Sequence, residues 1–148
     1  MAQSPDKTRG RARGTAAPGP EWSAASAAYE EALRVLPEDA GLRIAFAHFL
    51  GARAEVERAA GTEGNASLKR GLSLAEEVLK ARPKWGDALV LRGSLRCIEA
   101  QGLSPGADEQ RALARRAAED LRAGVSANGH LAARWNSWVK VAIALGGG

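Results

Sequence analysis

The chain has 148 residues, of which 45% are hydrophobic, 26% charged and 5% aromatic. That length suits one domain or a short repeat array. No run of 18 apolar residues occurs, so no membrane-spanning helix is expected, and the single cysteine, Cys97, excludes an internal disulfide framework and a multi-cysteine zinc site.

Residues 1–20 carry Lys7, Arg9, Arg11 and Arg13 against Asp6, which accounts for most of the net charge of +4. They are rich in Pro and Gly and poor in large apolar side chains, the composition of a disordered basic tail. Because the remaining charges nearly cancel, the sequence predicts no basic face on the folded part, and nucleic acid is not an expected partner. A weak polyanion contact through Arg9, Arg11 and Arg13 is the alternative that the tail allows. No apolar segment follows the basic start, so no secretory signal is expected and the expected location is the cytoplasm. Arginine outnumbers lysine 16 to 5, which reads as compositional bias.

From residue 21 the pattern is helical. Helices are predicted near 21–36, 38–59, 66–82, 85–101, 107–127 and 130–145, followed by a glycine tail at 146–148. The breaks fall at Pro37, Gly61–Asn65, Pro83, Gly102–Gly106 and Asn128-Gly129. Asn65 is the expected N-cap of the third helix, with Ser67 nearby. No segment alternates with period two, so the fold class is all-α, with about six antiparallel helices joined by short loops.

An internal period runs through this region. Ala25, Tyr29, Ala32, Leu33 and Pro37 recur 46 residues on as Gly71, Ala75, Val78, Leu79 and Pro83, and again as Ala117, Leu121, Gly124, Val125 and Gly129. Small residues at the first and third places let a neighbouring helix approach closely. The second and fourth places supply bulk on one face. The fifth ends the helix, by Pro blocking it or Gly reversing it. A fixed period of this size is the mark of a helical solenoid.

The pattern resembles the second helix of a tetratricopeptide repeat, which places a small residue, an aromatic, an alanine, an aliphatic and a proline at these offsets. Ala25, Tyr29, Ala32, Leu33 and Pro37 match all five places. The period of 46 departs from the family's 34, and the extra residues fall between the two helices of each pair. Arg92 and Arg96 stand where the family has core residues. The phrases DALVLRGSL and LRAGVSANGHLAARW also look like the helical repeat tails of some bacterial serine/threonine kinases. The first resemblance implies an α-α superhelix over 21–145 whose first-type helices line a groove for a peptide or protein partner. The implied lining is Ile44 and His48, then Asp87, Val90, Ser94 and Cys97, then Asn136, Lys140 and Ile143. A helical or extended peptide would suit such a groove. The second resemblance implies a detached regulatory or oligomerisation module. Trp22 marks one end of the array and Trp135 and Trp138 the other, as tight caps or as a surface for homo-oligomers.

No catalytic constellation is predicted. The sequence holds no Gly-rich phosphate loop and no kinase or metal-binding signature, so neither enzyme activity nor a cofactor nor a metal is expected. Glu30-Glu31 and Glu76-Glu77 recur at the same period, but adjacent helical residues diverge by about 100° and do not converge on a cleft. They are expected on a solvated face, with Glu30–Arg34 and Glu76–Lys80 pairs. Cys97 lies in mid-helix without a partner base and is expected to be a structural thiol. His48 is either a groove contact or a core residue.

Overall fold

The computed structural model describes residues 19–147; Gly148 and most of the expected tail, including Arg9, Arg11 and Arg13, lie outside the described residues. Six α-helices follow one another: α1 (Pro20–Val35), α2 (Ala40–Ala59), α3 (Asn65–Ala81), α4 (Gly86–Gln101), α5 (Asp108–Ala127) and α6 (Ala132–Leu145). A 3₁₀ turn, Gly129–Leu131, leads into α6. Among the described residues there is no strand, and no helix is long and apolar enough to cross a membrane.

Local chemistry accounts for the boundaries. Pro20 occupies the first helical position of α1, where its fixed φ suits the helix and its missing N–H is not needed. Asp39 caps α2 by accepting a bond from the Leu42 N–H at 2.8 Å. The expected cap of α3 is corrected: Asn65 is already helical, and Gly64 precedes it at φ +70, a left-handed conformation that suits glycine. The Ser67 hydroxyl instead donates to Glu57 Oε1 at 2.8 Å. Gly129 does not reverse α5 through a left-handed turn. The chain leaves the helix in an extended conformation at Asn128, whose Oδ1 accepts from the His130 N–H at 3.1 Å.

Consecutive helices pack antiparallel. Ser26 and Tyr29 of α1 meet Arg53 and Phe49 of α2, and Gly93 of α4 meets Ala117 and Leu121 of α5. α2 and α4 run parallel, with Gly51 against Leu95 and Arg58 against Gly102. α4 touches α2, α3, α5 and α6, and twelve of its sixteen residues are buried. It is the spine of the molecule.

Two pairs of positions spaced by 46 residues lie at helix contacts. A Cβ on Gly71 of α3 would lie 3.4 Å from the Ala47 carbonyl of α2. One repeat on, a Cβ on Gly93 of α4 would lie 3.0 Å from the Ala117 carbonyl of α5. Phe46, Leu50 and Leu74 share one apolar cluster between α2 and α3. Their counterparts are Arg92, Arg96 and Asp120. Arg92 forks onto Asp120 at 2.8 and 2.9 Å, and Arg96 reaches the same carboxylate at 2.6 Å. An ion triad thus stands 46 residues on from three apolar side chains of the first hairpin.

Other expected pairs are redrawn. Glu30 binds Arg70 of α3 at 2.7 Å, not Arg34, which pairs with Glu31. Glu77 faces Arg43 at 3.5 Å, and no Glu76–Lys80 ion pair forms among the described residues. The tryptophans pack inward. Trp22 lies 5.2 Å from the Phe49 ring, Trp135 is 6% exposed, and half-buried Trp138 touches both large apolar clusters.

Candidate partner-binding cleft

A cleft of about 190 Å³ opens where α2, α4 and α6 come together. His48, Ala52 and Glu55 form its α2 wall, Ser94 and Leu95 of α4 its floor, and Trp135 and Trp138 its α6 wall. Spacings of four and three along α2 put the first three on one helical face. The His48 and Trp135 rings lie 5.5 Å apart at 32°, so α6 closes over α4 towards α2.

Burial governs the electrostatics. The His48 imidazole is held below its usual pKa, first by burial and then by the Arg134 charge, with Asp87 opposing. Burial raises the Glu55 carboxyl, and Arg58 opposes that shift. The mouth of the cleft thus presents an imidazole that resists charging beside the exposed Glu55 carboxylate, above an apolar floor.

The nine residues expected in one groove do not come together. His48 and Ser94 line the cleft, and Asp87 acts on His48 through its charge. Ser94 is buried and its hydroxyl donates to the Leu91 carbonyl at 2.8 Å, so it is floor and not a free contact. Val90 and Cys97 are corrected outright. Both are 0% exposed, because α5 and α6 cover that side of α4. Burial pushes the Cys97 thiol up to about 12, and its Sγ lies 3.8 Å from the Trp138 carbonyl. Ile44 packs half-buried against the cluster formed by Val78, Leu79, Ala88 and Leu89. Asn136 and Lys140 are exposed on α6, and Ile143 lines a separate groove between α5 and α6.

Glu55, Trp135 and Trp138 were not expected in this site. The α2 spacing was available as a signal for Glu55. The two tryptophans were visible as bulky residues, but their approach to α2 depends on how far α6 folds over. Among the described residues no group of three His, Cys, Asp or Glu side chains is placed to hold a metal ion. Compared with protein families, curated proteins and solved structures, the chain has no match.

Proposed function

We propose that the chain is a non-catalytic protein–protein interaction scaffold, a tetratricopeptide-like superhelical array that engages its partner at the cleft between α2, α4 and α6. One observation carries this proposal: side chains of α2, α4 and α6 converge on one cleft.

The cleft is small, about 190 Å³, so it is read as receiving one inserted side chain of a peptide or protein partner. Trp138 and Leu95 supply apolar contact for that side chain, while His48 and Glu55 fix its polar neighbours.

A selection from displayed random peptides tests the proposal, because fold alone does not give function. Ala52→Trp places bulk at the mouth of the cleft from an exposed position. Peptides enriched on the parent and lost on a folded Ala52→Trp variant are the expected result. No enrichment, or equal retention by both proteins, would reject the cleft as the binding site.

A further inference from the structure

The charge around the α2–α4–α6 cleft points to the chemistry of what enters it. Its lining carries one carboxylate, Glu55, and neither lysine nor arginine. By contrast, Arg115 and Arg122 line the groove between α5 and α6, and Arg82 and Lys84 line the hollow beside Trp85. His48 adds no positive charge to the cleft at neutral pH, because burial and Arg134 hold the imidazole below its usual pKa. A cation entering the cleft therefore meets a carboxylate and no like charge on the lining.

Glu55 is exposed, and among the described residues its carboxylate makes no ion pair or hydrogen bond. The cations nearest to it along α2 are engaged elsewhere. Arg53 pairs with Glu57 at 3.4 Å. Arg58 donates to the carbonyls of Ile98 and Glu63, and acts on Glu55 only through its charge. The acceptor oxygens at the mouth of the cleft are thus open to a donor from outside.

The walls suit the rest of a long cationic side chain. Lysine and arginine lay their methylenes along apolar surface and keep the charge at the water boundary. Leu95 and Ile98 give the cleft an apolar floor, and Trp138, half-buried, gives it an indole wall. An indole ring also attracts a cation through its negative face. The same wall already holds one such contact within the chain: the Arg134 guanidinium lies 5.5 Å from the Trp135 ring centroid.

We infer that the cleft is specific for a cationic side chain, a lysine or arginine of a basic partner segment, with its methylenes on Leu95 and Trp138 and its charge at Glu55. The inference rests on the cleft being the binding site, as proposed above. Bulk attraction is not the cause, since the chain itself carries a net charge of +4 and repels basic peptides as a whole. Selectivity comes from the local carboxylate and the aromatic wall.

The displayed-peptide selection, read for sequence, tests this. Peptides lost on the folded Ala52→Trp variant should share a lysine or arginine at one position. Replacing that residue by norleucine keeps an apolar stem and removes the charge, and should weaken binding about tenfold. Glu55→Gln, at an exposed position, should weaken the cationic peptide about fivefold and leave the norleucine peptide unchanged. Added salt should narrow the gap between the two peptides. Cleft-dependent peptides with no shared cation, or with a shared Asp or Glu, would overturn the inference and leave the cleft as the binding site. So would equal binding of the cationic and norleucine peptides, or full affinity for the cationic peptide in Glu55→Gln. No cleft-dependent peptide at all would reject the binding site and the inference together.

Discussion

Asp120 is the residue on which the second hairpin depends. It is buried and accepts from both Arg92 and Arg96. Removing one member of a buried ion group leaves uncompensated charge, so Asp120→Ala should cost about 3–5 kcal/mol in urea unfolding. Replacing the whole triad by its first-hairpin counterparts, as Arg92→Phe, Arg96→Leu and Asp120→Leu, should be neutral or stabilising by about 1–4 kcal/mol. A triple variant as damaged as Asp120→Ala would show that the two hairpins are not interchangeable. His48 gives a second residue-scale prediction. Above its ordinary value of 6.5 the imidazole is neutral in the folded and unfolded chains alike. Below that, the unfolded chain takes up a proton that the folded chain resists, so stability falls as pH drops from 6.5 towards 5. His48→Gln should show a shallower fall over that window. Equal slopes would mean that burial and Arg134 do not act on this group.

At the scale of elements, the distance between helices differs along the array. The α4–α5 contact is the tightest: a Cβ on Gly93 would lie 2.6 Å from Leu121 Cγ, and one on Gly124 only 2.5 Å from Val90 Cγ1. At Gly71 the nearest atoms would be 3.4 Å away, which is ordinary contact. Both Gly71 and Gly93 lie in helix interiors, where alanine gains up to about 1 kcal/mol in propensity. Gly71→Ala should therefore be neutral or stabilising. Gly93→Ala should be destabilising by about 1–3 kcal/mol, since overpacking there outweighs the propensity gain. Thermal melts of the two variants should move apart; shifts of the same sign would mean that the α4–α5 spacing relaxes freely. The turns are fixed by particular side chains. Gln110 accepts from the Gly106 N–H and donates to the Ala100 carbonyl, and Arg58 donates to the Ile98 carbonyl near the end of α4. These bonds join α2, α4 and α5 at one end of the molecule.

For the whole molecule, burial is graded from the centre outwards. α4 is enclosed by four helices, whereas Leu33 is the one buried residue of α1. Local opening follows such gradients, because helices with few buried apolar contacts separate at low free energy. Native-state hydrogen exchange should find the slowest amides in α4 and faster exchange in α1. Comparable protection in α1 and α4 would show that the burial gradient does not govern local opening.

Much of this organisation was legible in the sequence. Pro37, Pro83 and the Gly-rich breaks located all six helices to within about two residues, because capping and chain reversal are local chemistry. Small residues spaced by 46, Gly71 with Ala117 and Ala47 with Gly93, lie at a close helix contact in each hairpin. The site was less legible. The family resemblance placed Val90, Ser94 and Cys97 on a groove, but α5 and α6 enclose that side of α4, and of the three only Ser94 reaches the cleft. How far α6 folds over α4 decides whether Trp135 and Trp138 cap an end or wall a cleft, and no single helix encodes that. The sequence by itself determined the helices and their order, since these arise from residues close along the chain. Tertiary structure alone decided which faces stay open, because burial is set by neighbours distant in sequence.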